Sequence, residues 1–191
     1  MPKKSSQAYA ARLDIDYPDS LNRVSTFFRP ILVIPIGIIL SLLSTGLWFA
    51  TLLMLVFRMK YPRWWFDFAR ELARLTTRVG AYAALLTDTY PSTTKDQAVH
   101  LEIDYPDAEK DLNRWLPLVK WLLAIPHYVI LVILWFFALF AIVIAWFAIL
   151  ITGRYPKGLF NYVVGVFRWS IRVSAYMYLL ATDQYPPFSM N

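Results

Sequence analysis

The chain has 191 residues, of which 58% are hydrophobic and 17% charged, with a net charge of +6 and no cysteine. Lack of Cys excludes disulfides, thiolate nucleophiles and cysteine-based metal centres. The apolar excess is far from that of an ordinary soluble domain, and the positive balance then favours anionic lipid headgroups over nucleic acid as partners.

Residues 1–12 read as an N-terminal tail; no cleavable leader is legible in the first thirty residues, which are mixed and polar, so the first apolar run after Arg29 is expected to act as its own insertion signal. Leu13-Asp14-Ile15-Asp16-Tyr17-Pro18-Asp19 alternates apolar residues with acids, the period of a strand, and Pro18 closes it. A short extended linker is the alternative. Residues 30–57 then carry no charge and are expected to be a membrane segment, with Pro35 near its start and Ser44-Thr45-Gly46 interrupting it. After Tyr61-Pro62, residues 63–86 place Arg63, Asp67, Arg70, Glu71, Arg74 and Arg78 on one face of a helix. Trp64, Trp65, Phe66, Phe68, Leu72 and Leu75 lie largely off that face. Such a helix fits the plane of a membrane interface, with the alternative of a further span.

Residues 92–100 read as a linker, after which the same order returns. Leu101-Glu102-Ile103-Asp104-Tyr105-Pro106-Asp107 repeats the acidic strand, and Leu112-Asn113-Arg114 repeats Leu21-Asn22-Arg23. Arg29 and Ile34-Pro35 match Lys120 and Ile125-Pro126, and Lys60-Tyr61-Pro62-Arg63 matches Arg154-Tyr155-Pro156-Lys157. Thr87-Asp88 matches Thr182-Asp183 ahead of a closing Tyr-Pro, one of six such pairs. The chain is therefore a tandem duplication, residues 13–91 and 101–187, with a short tail at 188–191. The second membrane segment, residues 116–151, includes 24 consecutive apolar or aromatic residues from Tyr128 to Ile151. That exceeds the roughly 20 needed for one crossing. The second amphipathic helix, residues 157–180, keeps Lys157, Arg168 and Arg172 on its polar side.

The expected fold is an all-α integral membrane protein. Each unit has an extended segment, a long transmembrane helix or hairpin, and an interfacial helix. Single crossings divide the flanking Lys and Arg evenly, nine on each side, which gives no orientation by the positive-inside rule. Hairpins gather all of them on one side, but residues 30–57 are too short for two full crossings. Two single crossings are taken as the expectation. The run from Ala145 to Phe188, with the LEIDYPD motif upstream, resembles a bacterial membrane-protein family catalogued as a domain of unknown function, number four-three-eight-nine. The first copy departs from its pattern at Arg58-Met59-Lys60, where the second has Thr152-Gly153-Arg154. The resemblance implies an architecture and a bacterial cytoplasmic (inner) membrane, multi-pass, and no catalytic site.

The candidate headgroup-binding residues are Arg63, Arg70, Arg74, Arg78, Lys157, Arg168 and Arg172. Tyr61, Trp64, Trp65, Tyr155 and Trp169 are candidate interface anchors. His127, at the edge of the second run, is the one candidate functional ionisable group there, against the commoner role of a hydrogen-bonded anchor. The acids of the two strands carry no calcium-loop spacing, and no phosphate loop, zinc motif or nucleophile elbow is legible. No metal, cofactor or enzymatic activity is expected. Three functions fit: a membrane organiser acting through anionic lipid, an accessory subunit of a larger membrane complex, and an oligomeric channel or transporter. The last has few polar groups to line a pore, namely Ser41, Ser44, Thr45 and Thr51.

Overall fold

The computed structural model describes residues 9–44, 46–93 and 97–191. Each repeat gives a strand and a set of helices: β1 (Ala11–Ile15), α1 (Arg23–Ser44), α2 (Leu47–Arg58) and α3 (Arg63–Ala83), then β2 (Val99–Ile103), α4 (Ala108–Asp111), α5 (Leu116–Leu123), α6 (Ile125–Thr152) and α7 (Lys157–Met177). The two acidic motifs are strands, and they pair with each other antiparallel. The chain is thus mostly helical with a small two-stranded sheet, rather than all-α. Both strands begin two residues ahead of the repeated motif, so the 1–12 tail and the 92–100 linker each donate residues to the ribbon.

The register fixes the symmetry. Leu13 lies opposite Leu101, its counterpart in the other repeat, and Ala11↔Ile103 mirrors Ile15↔Val99. A twofold axis therefore passes between Leu13 and Leu101, normal to the ribbon. The flanking bonds obey it: Asp16 N donates to Ala98 O and Asp104 N to Ala10 O, both at 2.9 Å. Alternation puts Ala11, Leu13, Ile15, Val99, Leu101 and Ile103 inward, buried, and the charged residues outward.

The inner face of the ribbon covers α3 and α7. In turn α1 packs on α3, α6 on α7, α1 against α6, and α2 against α5. Exchange between repeats is the rule here: β2 packs on α3 of the first copy, and β1 on α7 of the second. Tyr17 Oη donates to Tyr155 O at 2.5 Å and Tyr105 Oη to Tyr61 O at 2.7 Å, the same bond twice across the axis. Loss of either hydroxyl should cost about 1 kcal/mol. Tyr17→Phe and Tyr105→Phe should therefore lower stability by similar amounts in chemical unfolding, and unequal losses would show that the symmetry is not energetic.

The apolar runs are not single straight helices. The first breaks between Ser44 and Leu47, at Gly46, a weak helix former. Thr45 lies outside the described residues. Tertiary bonds hold the break: Tyr178 Oη donates to Ser44 O at 2.6 Å and Trp48 Nε1 to Met177 O at 3.0 Å. The second run breaks earlier, at Ala124, where Pro126 cannot continue the hydrogen-bonded ladder backward. The amphipathic helices end at Ala83 and Met177, three residues short of the 63–86 and 157–180 expectations. Left-handed residues follow at Leu85 and Leu180, again in matching places.

The departure of the first copy from the second at Met59 has a structural cost. Gly153 ends α6 at φ 74°, and its counterpart Met59 ends α2 at φ 48°. A side chain in that region costs about 1–2 kcal/mol. Met59→Gly should stabilise the protein by about 1 kcal/mol, and Gly153→Ala should destabilise it by at least that much. Denaturant midpoints of the two variants measure this directly.

Candidate functional site

The ribbon carries charge on its outer face, and the helices packed against α3 and α7 carry exposed apolar side chains. On the outer face of the ribbon Arg12 bridges Asp104 at 2.8 Å and Glu102 at 3.3 Å. His100 meets Asp16 at 3.1 Å, the symmetry counterpart of Arg12 with Asp104. Helices α1, α2, α5 and α6 expose large side chains: Leu42, Phe57, Val132 and Ile151 are each more than two-thirds exposed. Two helical stretches, Arg23–Arg58 and Ile125–Thr152, are long and apolar enough to cross a membrane, and their most apolar windows are only 12% and 22% buried. A soluble core helix is covered on all sides; these are not.

The Arg faces of α3 and α7 turn toward the ribbon. Arg74 Nε donates to Leu101 O at 2.9 Å and Arg168 Nε to Leu13 O at 3.0 Å, symmetry counterparts at the axis. Arg74 also meets Glu71 at 2.8 Å, and Arg168 meets Asp14 at 2.7 Å. Arg70 pairs with Asp67 and Glu71. Arg78 donates to Ser92 O at 2.5 Å, and Arg172 to Ser189 O at 3.2 Å and to Asn191 O. Burial lowers the pKa of Arg172, with Arg168 adding to the shift. These five guanidinium groups are therefore engaged inside the protein. Of the candidate headgroup ligands, Arg63 and Lys157 are exposed; each lies over a tyrosine ring of the other repeat, Tyr105 at 4.6 Å and Tyr17 at 5.4 Å.

The anchors divide in the same way. Tyr61 and Tyr155 are buried, and burial pushes both phenols well above their usual pKa. Tyr61 Oη donates to Leu179 O at 2.9 Å. Trp65 is half-buried and donates to Thr51 Oγ1 at 2.9 Å. Trp64 is 69% exposed. Trp169 is buried and donates from Nε1 to His127 Nδ1 at 3.0 Å. An indole only donates, so His127 accepts there and carries its proton on Nε2. That nitrogen is buried without a partner. Phe188 stacks on the ring at 4.1 Å. The first copy has Ile36, Leu75 and Thr93 at the three matching positions, so this cluster belongs to one repeat only.

A pair of buried ion pairs falls outside the sequence expectations. Arg29 meets Asp88 and donates to Thr87 O at 3.0 Å. Lys120 meets Asp183 at 2.7 Å and donates to Thr182 O at 2.7 Å. The same acids accept from Asn22 N and Asn113 N, both at 2.6 Å. The signal was present in the repeat itself, since a cation and an acid recur together inside otherwise apolar surroundings. The exposed cations Arg23, Arg58, Lys60, Arg114 and Arg154 also lie outside the expected headgroup set; none has an ion-pair partner among the described residues.

These features define a class: an internally duplicated helical protein closed by a ribbon between its two repeats. The chain belongs to the family described as Domain of unknown function (DUF4389), which it matches twice, over residues 23–95 and 115–190. No curated protein and no solved structure matches it.

Proposed function

We propose that the protein sits in a bilayer from one side and organises it through anionic lipid, without enzymatic chemistry. The observation that carries this reading is the direction of the twofold axis, from the charged outer face of the ribbon to the exposed apolar helices. A bilayer accepts the second face and rejects the first, so the axis lies along the membrane normal. Equivalent residues then lie at equal depth. Leu21 N donates to Gly153 O at 2.9 Å, so the start of the first run is level with the end of the second. Gly153 is the counterpart of Met59, so the first run starts and ends at one depth. Both ends of each run then lie on one side of the membrane, whereas the single crossings expected from sequence need an axis in the membrane plane and a charged ribbon against lipid.

The same symmetry gathers the Lys and Arg that single crossings would divide. Arg23, Arg154 and Lys157 then meet headgroups at one end of the molecule, and Arg58, Lys60, Arg63 and Arg114 at the other. Each contributes about 1 kcal/mol at an anionic surface. The bacterial inner membrane supplies such lipid, and a dipping apolar wedge beneath a flat ribbon alters packing in one leaflet.

Cys substituted at Ser20, Thr93 and Ser189 tests the arrangement, because the natural chain has no Cys. An impermeant thiol reagent on sealed, uniformly oriented vesicles should label all three from the same side. Labelling of Thr93→Cys from the opposite side to the others rejects the reading. Retention of phosphatidylglycerol through purification in mild detergent should fall when Arg58, Lys60, Arg154 and Lys157 are changed to Gln. A stoichiometric protein partner in its place would favour the accessory-subunit role.

A further inference from the structure

We propose that an acyl chain of a bilayer phospholipid occupies the space between α3, α6 and α7; the inference rests on the membrane reading above. Two cavities of about 540 and 470 Å³ lie along α6, and a third of about 350 Å³ lies between α3, α7 and the break in the first run. Ser174 lines all three, and the two largest also share Trp135 and Ser170. They are therefore neighbours around Ser174, each of a size that holds a ligand.

The chemistry of the walls selects the occupant. No Asp, Glu, Lys, Arg or His lines any of the three among the described residues. Of the lining hydroxyls, four are committed to bonds within the protein, and Ser44, Tyr128 and Ser174 add only neutral groups. Ser170 Oγ donates to Val166 O at 2.8 Å and accepts from Trp135 Nε1 at 3.0 Å. Thr76 and Thr77 donate to Leu72 O and Ala73 O, each at 2.8 Å, and Tyr178 donates to Ser44 O. A site without charge and with most of its hydroxyls spent is unfavourable for water and suits an apolar guest. A charged headgroup would find no counter-charge in it.

The route in identifies the source of that guest. The cavity walls reach Val132 and Leu139, which are 69% and 59% exposed on the apolar face of α6. In the membrane orientation argued above, those rims open onto the hydrocarbon of the leaflet, not onto water. A flexible unbranched chain can enter sideways while its headgroup remains at the surface. The space is kept open by helix spacing. Gly80 lets α3 approach the Phe167 ring, where an added Cβ would stand 2.9 Å from Cε1, and beyond that contact the two helices are separated by the cavities.

The full chain should be reconstituted in vesicles of phosphatidylethanolamine and phosphatidylglycerol doped with a phosphatidylglycerol bearing a diazirine on its acyl chain. After illumination, peptide mapping should find crosslinks at Ser170, Ser174 and Thr77, in addition to those on the exposed residues Phe136 and Phe140. Ser174→Phe should abolish the cavity crosslinks and leave the exposed ones. Crosslinks confined to Phe136, Phe140 and their exposed neighbours overturn this inference while leaving the membrane reading intact. Cavity crosslinks that survive Ser174→Phe in folded protein overturn it as well. Absence of any crosslink on α6 overturns both readings. The wild-type pattern decides the matter even if Ser174→Phe fails to fold.

Discussion

Asp183→Ala should cost the fold about 3–5 kcal/mol, the loss typical of stripping one partner from a buried ion pair. The Lys120 side chain has no solvent exposure, and its ammonium lies 2.7 Å from the Asp183 carboxylate and 4.9 Å from the Tyr176 ring centre. Removing the acid strands a charge that neither the Thr182 carbonyl nor the ring can neutralise. It also removes the acceptor for Asn113 N, which fixes the entry to α5. Asp88→Ala should do the same to Arg29, whose guanidinium lies 4.6 Å from the centre of the Tyr82 ring. Lys120→Met combined with Asp183→Ala should recover part of the loss, because no uncompensated charge then remains. Unfolding followed by tryptophan fluorescence in mild detergent measures all of these. An Asp183→Ala variant within about 1 kcal/mol of wild type would mean that water reaches Lys120.

Leu13→Ala and Leu101→Ala should each cost about 2–5 kcal/mol, the range for large-to-small changes in a core. Both are buried under the ribbon, facing each other at the axis. Because they are cross-strand neighbours, the double variant should depart from additivity by about 0.5–3 kcal/mol. This pair is the seam between the repeats, so its loss should loosen Arg74 and Arg168 together, each bonded to one of these two carbonyls. Additive, sub-kcal/mol effects would show that the ribbon decorates the helices without joining them.

The duplication, the strands, the apolar runs and the amphipathic helices were legible because each leaves a local pattern. Alternation marked β1 and β2, and polar residues at helical spacing marked α3. The partners were not legible. A stripe of arginines has the same spacing whether it faces a headgroup or a carbonyl on another strand. Arg74 reaches Leu101 only because the two repeats exchange their strands, and no local period encodes that. The helix breaks followed a similar division. Pro126 explains the break at Ala124, but Pro35 stands inside a continuous α1; the first copy breaks near Gly46, where Tyr178 and Trp48 supply the bonds. Topology was the widest gap. Counting charges gave a tie, and no local pattern contains the register of Leu13 on Leu101 that relates the two repeats.

The exchange of strands also sets an order in time. His100 meets Asp16 across 84 residues of chain, and Arg168 reaches Asp14 across 154. At about 5–20 residues per second of synthesis, β1 waits roughly 4–17 s for β2 to be made. During that interval it is an unpaired edge able to take another strand. Its short length and outward charges, Arg12, Asp14 and Asp16, limit that hazard. Contacts this distant in sequence also slow the final closure. The first repeat must therefore persist half-built, and the last helix to emerge, α7, is the one that covers the first strand.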